Sequence, residues 1–406
     1  MNRTLLQLAV AFGCILLGAC ASEFEGDSNQ KAIEEQVNTI AQQYAPDSRD
    51  HKFEVDVSAN SATFEDTRFD ITGYTTNAEA AKATRALMEQ GKLPIERVDV
   101  QVLPDSSLGE KLYGLIKVSV ANLRSKPGHS QELATQLLHG TPVRLLLKQD
   151  DWYLVRCPDN YLAWLSYGEV KPISKADLDD YFDRDLHVCK GANHIVRTRE
   201  RGSILLSTTR GMIVDVIGGK TDRFAQVQLV DGRKGVLANN RLEPLSEWTG
   251  RSTQANPLSY IDLFVGEPYL WGGTSSNGMD CSGFTKMCYW MDGFVVPRDA
   301  SQQVKLGLPI PIDDKLSALL PNDLLFFGNL REDGSQRITH VGIYRGLGRF
   351  IHAGADNGYI TSQSLFPADP DYAHHRRASL QAVRRYTAGT EGIHKVADVF
   401  SSEFWD

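Results

Sequence analysis

The chain is poor in cysteine, carries no block of basic residues, and contains no apolar run long enough for a membrane helix. Six cysteines occur in 406 residues, and two of them, Cys14 and Cys20, fall in an N-terminal leader-like stretch. The remaining four, Cys157, Cys189, Cys281 and Cys288, are too few for a disulfide framework. A Cys157–Cys189 bridge stays open as one pairing in an oxidising compartment. The formal charge of −8 is spread along the chain, which argues against nucleic acid as a partner. Neither Cys-x-x-Cys nor His-Glu-x-x-His spacing occurs around the candidate site residues, so no metal and no cofactor is expected. The N-terminal apolar run, Leu5 to Leu17, has 13 residues, against about 20 for a membrane span.

That run begins after Arg3 and ends in Leu17-Gly18-Ala19-Cys20. It has the form of a secretion signal, and the small residues before a cysteine resemble a bacterial lipobox. The resemblance implies a signal peptide over 1–19, lipid on Cys20 and membrane attachment through buried methylene groups. A plain secretion signal is the alternative. Residue 21 is Ala rather than Asp, which on analogy with enteric bacteria points to the outer membrane, facing the periplasm. A polar tether, Glu23 to Lys31, follows.

Length predicts two to four domains. Ile33, Val37, Ile40, Ala41 and Tyr44 recur at helical spacing, so 20–50 reads as tether and helix. Residues 51–112 read as a small α+β domain. Phe53, Val55 and Val57 alternate as a strand, Phe64, Phe69 and Ile71 suggest two more, and Val98, Val100 and Val102 another. Thr76-x-x-Glu79 reads as a capping box opening a helix that Gly91 stops. From 113 to 250 helical periodicity gives way to short strands and turns in two similar stretches. The first runs from Val118 to Leu165 and the second from His194 to Leu237. Val143, Leu145 and Leu147 mark an apolar strand in one, and Met212, Val214 and Val216 in the other. Short strands at such spacing predict small barrels, over 113–175 and 176–250. The run Ala121-Asn122-Leu123-Arg124-x-x-Pro127 resembles bacterial SH3 domains. A further α+β unit occupies 251–388, and 389–406 reads as a polar tail able to pack back on the surface.

The strongest chemical signal is Tyr269-Leu270-Trp271-Gly272-Gly273 followed by Gly278-Met279-Asp280-Cys281-Ser282-Gly283-Phe284. Phe284, Cys288 and Met291 then recur at helical spacing, which puts Cys281 in the first turn of a helix after a glycine-rich loop. A helix N-terminus stabilises anions, so a lowered thiol pKa is expected there. The glycines allow a sharp bend and leave N–H groups to face an oxyanion. A thiol nucleophile needs a base. Ile338-Thr339-His340-Val341-Gly342-Ile343-Tyr344 and Arg349-Phe350-Ile351-His352-Ala353 read as an antiparallel hairpin. His340 and His352 are equidistant from Gly346, so a symmetric hairpin would oppose them with Cβ atoms ~5 Å apart. A bulge would break that symmetry. His340 would then serve as base and His352 as its orienter.

Taken together, Tyr-x-Trp-Gly-Gly, Asp-Cys-Ser-Gly-Phe and His-Val-Gly-Ile-Tyr resemble the NlpC/P60 cysteine peptidases over about 130 residues. Pro297-Arg298-Asp299-Ala300-Ser301-Gln302-Gln303 and Pro321-Asn322-Asp323-Leu324-Leu325-Phe326-Phe327 fit as well, with Asn322 where the family more often has Gly. The resemblance implies a papain-like catalytic fold, Cys281 as nucleophile, His340 as base and His352 as third polar residue. With two SH3-like units ahead of it, the order resembles the γ-D-glutamyl-L-diamino acid endopeptidases, also called dipeptidyl-peptidase VI. These cut the γ-D-Glu–diamino acid bond of peptidoglycan stem peptides whose N-terminal L-Ala is free, in cell-wall turnover or recycling. By that resemblance Tyr269, Asp280, Ser282 and Asp299 meet the substrate, and Glu132 and Tyr161 of the first SH3 unit wall the site. A carboxylate beside the nucleophile is expected to pair with the ammonium of L-Ala, so a sugar-capped peptide would leave Asp280 unpaired. Two rivals stand beside this reading: a hydrolase of intact, sugar-linked peptidoglycan, and a non-catalytic wall-binding lipoprotein.

Overall fold

The computed structural model describes residues 28–60, 67–198, 202–218, 223–250 and 254–405. The signal stretch with Cys20, and the strand expected around Phe64, lie outside the described residues. Two compact units divide the chain, Met1–Ser107 and Leu108–Asp406. The boundary falls a few residues before the one expected at 112.

In the first unit, helix α1 (28–44) buries Ile33, Val37 and Ile40 in one core with a three-stranded sheet. The helix expected after the tether is therefore part of this fold, and it starts at 28, inside the stretch read as tether. Strands β1 (Phe53–Ala59) and β2 (Phe69–Thr75) are antiparallel. Helix α2 (Ala78–Glu89) crosses over to β3 (Ile95–Val102), which lies parallel to β2. The cap of α2 is Asn77, one residue after the expected Thr76: its Oδ1 accepts from the Glu79 and Ala80 amides at 2.9 and 3.4 Å. An Asn side chain is short enough to reach both amides of the first turn.

The second unit begins with a seven-stranded sheet made of β4 (Tyr113–Ile116), β5 (Val120–Arg124), β6 (Leu133–Leu138), β7 (Pro142–Gln149), β8 (Trp152–Arg156), β9 (Leu162–Ser166) and β10 (Val170–Ile173). After helix α3 (Lys175–Phe182) comes another, made of β11 (Leu186–Cys189), β12 (Ile195–Arg197), β13 (Ile204–Ser207), β14 (Ile213–Gly218), β15 (Phe224–Gln228), β16 (Lys234–Ala238) and β17 (Leu242–Pro244). The spatial orders are β6-β5-β9-β8-β7-β4-β10 and β13-β12-β16-β15-β14-β11-β17. Strand for strand these are one topology. The two sheets differ in how they are buried. The first has its own apolar core, with Leu123, Val143, Leu145 and Val155 at its centre. The second shares a continuous core with the residues that follow, from Val188 and Val227 through Trp248 to Phe284 and Phe294. The units expected over 176–250 and 251–388 therefore pack as one body. Cys157 and Cys189 are buried free thiols.

Helix α4 (Leu245–Gly250) leads to the last layer. It holds the short ribbon β18 (Thr274–Ser275) and β19 (Gly278–Met279), helix α5 (Cys281–Met291), β20 (Phe294–Val295), helix α6 (Ala300–Gln303) and a six-stranded sheet. The sheet consists of β21 (Leu308–Pro309), β22 (Leu324–Leu330), β23 (Gln336–Gly346), β24 (Arg349–Gly354), β25 (Tyr359–Ser364) and, after helix α7 (His374–Ala378), β26 (Leu380–Arg385). Every residue of α5 is buried, so this helix is enclosed on all sides. Asn322 occupies the left-handed region with φ 80° and its Oδ1 accepts from the Leu258 amide, so Asn does here what Gly commonly does in a turn. The expected surface tail is structural: β27 (His394–Lys395) pairs with β20, and Val396, Val399 and Trp405 enter the shared core.

Candidate active site

Asp280 is the N-cap of α5, its Oδ1 accepting the Gly283 amide at 2.7 Å, and Cys281 is the first residue of the helix. Arg298, 1% exposed, grips the same carboxylate with both ends of its fork, Nη1 to Oδ1 at 3.1 Å and Nη2 to Oδ2 at 2.6 Å. The Gly272 amide also donates to Oδ2, and the Ser282 hydroxyl to Oδ1. Arg298 in turn donates to Ser282 Oγ at 2.9 Å. A bidentate guanidinium is the strongest partner for a buried carboxylate. Two expectations are corrected here. Asp280 does not stand waiting for a substrate ammonium, because its oxygens are taken by Arg298 and by main-chain donors. The loop glycines do not keep their amides for an oxyanion either: Gly272 and Gly283 donate to Asp280 and Gly273 to the Leu270 carbonyl.

Nor is the Cys281 thiol held low. Burial pushes it up to about 12, with the Asp280 carboxylate adding to the rise. The Val341 amide, Arg298 and the Ser282 amide pull the other way and lose. The helix terminus expected to stabilise a thiolate is real, but desolvation of a side chain 8% exposed outweighs it. The Val341 amide acting on Cys281 also marks where the histidine strand lies, since His340 is its neighbour in β23.

His340 and His352 are both buried, and His340 Nε2 sits 2.8 Å from His352 Nδ1. Their rings meet edge to face at 4.9 Å between centroids. They do not stand directly opposite each other. Ile343 faces Ile351 and Tyr344 faces Phe350, and the register slips between Tyr344 and Gly346, so the hairpin turns about Leu347 rather than Gly346. In this register His352 falls across from Gly342. A Cβ there would come within 2.9 Å of the Phe350 ring and 3.2 Å of His352 Cβ. The bare backbone of Gly342 is what lets the His352 ring lean across to His340. Burial lowers both imidazoles, His352 to about 4 and His340 well below its ordinary value, with Arg376 adding to the effect on each. His352 Nε2 lies 2.8 Å from Gln363 Oε1.

Tyr269 lies in the same field. Burial raises its phenol to about 12, helped by Cys281 and Asp280 and opposed by Arg298 and Arg376. The first seven-stranded sheet closes the site from another side. Trp271, exposed, donates its indole N–H to Glu132 Oε1 at 2.8 Å. Tyr161 is near enough to Arg298 to act on its charge. Gln136 exchanges main-chain and side-chain hydrogen bonds with Thr274 at 2.7–3.1 Å, and Asp159 forms a buried ion pair with Lys286 of α5. Gly272 has φ 76°, and a Cβ on it would lie 2.1 Å from the Leu133 carbonyl oxygen, so only glycine admits the sheet this close. Asp299 caps α6 and stands 3.8 Å from Arg298. Tyr269, Asp280, Ser282, Glu132 and Tyr161 are thus gathered around Cys281 or its loop. Five contributors stood outside the expected set: Arg298, Gln136, Asp159, Lys286 and Gln363. Only Arg298 had a signal, since a carboxylate capping so apolar a helix calls for a buried cation.

A buried thiol at a helix start, with paired imidazoles on the β-hairpin against that helix, is the constellation of a cysteine peptidase. The NlpC/P60 family description matches residues 266–375, and that of the bacterial dipeptidyl-peptidase Sh3 domain matches 123–167. The chain belongs to the NlpC/P60 family. It is 31% identical to the gamma-D-glutamyl-L-lysine dipeptidyl-peptidase of Bacillus subtilis (strain 168), over 54% of this chain and 72% of that one. It is 41% identical to the protein of the same name from Bacillus cereus (strain ATCC 10987 / NRS 248), over 55% of this chain and 68% of that one. The crystal structure of an NlpC/P60 family protein from Bacillus cereus superposes with a TM-score of 0.55 at 22% identity, covering 68% of this chain and 99% of that one, which bears on the fold alone.

Proposed function

We propose that this peptidase hydrolyses the γ-D-Glu–diamino acid bond of peptidoglycan stem peptides whose N-terminal L-Ala is free. The observation that carries the reading is the docking of the first sheet onto the nucleophile loop through Trp271–Glu132 and through Gly272 against Leu133. It makes a wall beside Cys281, where an acceptor must end rather than continue into a glycan strand. With Asp280 closed by Arg298, the ammonium of L-Ala falls to the remaining oxygen of Glu132. Two relatives named for γ-D-glutamyl-L-lysine cleavage support the bond assignment.

In this reading Cys281 is the nucleophile and His340 its base. His340 Nε2 is engaged by His352, which leaves Nδ1 to take the thiol proton. Thiol and imidazole rest neutral, so the proton moves as sulfur attacks the γ-carbonyl carbon of D-Glu. With the Gly283 amide held by Asp280, the amides of Cys281 and Ser282 at the start of α5 are left to face the oxyanion. The imidazolium then protonates the leaving α-amino nitrogen, and water releases L-Ala-γ-D-Glu from the thioester. The lipobox-like end at Cys20 supports an envelope enzyme held to the membrane by lipid.

Incubation with L-Ala-γ-D-Glu-diaminopimelate and with a sugar-linked muropeptide, followed by mass spectrometry, tests the proposal. Cleavage of the first alone is expected. Equal cleavage of both would show that the wall does not select, and hydrolysis surviving Cys281→Ala would overturn the nucleophile.

A further inference from the structure

Beyond His352 the hydrogen-bond chain continues. Gln363, half-buried on β25, places Oε1 2.8 Å from His352 Nε2, while Asn357 Nδ2 donates to the same oxygen at 3.4 Å. The Asn357 contact agrees with this direction of the Gln363 amide. Were it turned over, its NH2 would face the NH2 of Asn357, two donors against each other.

We propose that Gln363 is a positioning residue that sets the protonation pattern of the His340–His352 pair. The logic runs inward from the amide. An oxygen accepts only, so His352 must carry its proton on Nε2. A neutral imidazole then has a bare Nδ1, which accepts from His340 Nε2–H. His340, neutral as well, is left with Nδ1 unprotonated, and that is the nitrogen the thiol proton needs. A symmetric His–His pair without this anchor could hold its two protons in the opposite sense, each on Nδ1. His340 would then present N–H toward the thiol and could not act as a base. A third catalytic residue that is histidine has this ambiguity built in, whereas an ionised Asp in its place, an acceptor only, would not. During turnover His340 becomes doubly protonated and its Nε2–H bond to His352 is retained, so the anchor is compatible with both protonation states.

This rests on His340 being the base. Retained activity in His340→Ala would refute that assignment irrespective of Gln363. Three measurements on the full chain test Gln363 itself. First, ¹⁵N spectra of the labelled protein at neutral pH should show a protonated Nε2 and a bare Nδ1 on His352; the opposite pattern overturns the proposal. Second, Gln363→Met should lower kcat about tenfold with KM within about twofold, because only the population of the productive pattern changes. Gln363→Glu should be worse, about a hundredfold. Its carboxylate draws a second proton onto His352, whose Nδ1–H then forces His340 into the blocked pattern, and the acid limb of the pH–rate profile moves up. A Gln363→Glu enzyme with wild-type kcat and pH profile would sink the idea. Third, in a His352→Asp background, whose carboxylate can only accept, Gln363→Met should have no further effect on kcat. An undiminished loss there would mean that Gln363 acts only on packing. Thermal melts of each variant separate misfolding from loss of positioning.

Discussion

At Cys281 two influences compete, and the structure shows which one wins. The first turn of α5 and Arg298 favour the thiolate, while burial and Asp280 favour the thiol, and the thiol prevails. The free enzyme should therefore lack the preformed ion pair that makes some cysteine peptidases react with alkylating agents in acid. Iodoacetamide modification of Cys281, located by peptide mass spectrometry, should rise about tenfold per pH unit across the neutral range without levelling off. A plateau below about pH 6 would show that the imidazole already holds the proton. Asp280 has a different job from the one its position suggested. Paired twice with Arg298, it fixes the helix start and the loop before it.

Among the elements, the loop and the hairpin tell how far local pattern carries. The helix after Cys281 was legible because Phe284, Cys288 and Met291 repeat at its period, and the hairpin because alternating residues flank a glycine turn. Its register was not legible. The slip between Tyr344 and Gly346 displaces the pairing, and slips of that kind depend on turn geometry that composition does not encode. His340 and His352 meet regardless, because both lie on one face and Gly342 leaves the gap between them open. Gln363 had no signature at all, being one polar residue in a half-buried strand. The repeat over 113–250 was readable as repetition but not as packing, since nothing in its periodicity says which copy shares a core with its neighbour. At this scale Gly272 makes the sharpest test. Gly272→Ala places a methyl group against the Leu133 carbonyl and asks alanine for φ 76°, costing at least about 1–2 kcal/mol from the backbone alone. Urea denaturation should show that loss, and peptidase activity should fall with it. Leu133→Ala should not rescue either, because the obstructing atom belongs to the main chain.

Across the molecule, the proposed selection of acceptor length would depend on surfaces that meet from different sheets. Glu132 comes from the first sheet and is steered by Trp271 of the peptidase loop. Glu132→Gln should lower kcat/KM on L-Ala-γ-D-Glu-diaminopimelate by about 10- to 100-fold, the worth of one charge-assisted hydrogen bond to an ammonium. Turnover of an N-acetylated analogue, expected to be slow in the parent enzyme, should hardly change, since it offers no cation to lose. Comparable losses on both peptides would place Glu132 in the scaffold and not in recognition.

The first sheet keeps an apolar interior of its own and meets the nucleophile loop and α5 through Gln136, Glu132, Asp159 and a glycine-sized gap, while Tyr113, Leu115, Leu138 and Ile173 on its other side join the shared core. The second sheet owns no such private interior. On the proposed reading, the loop-facing side of the first sheet is therefore the gatepost that evolution can retune while the chemistry behind it stays intact. Its twin is welded to the engine and can drift only as far as the engine's own interior allows.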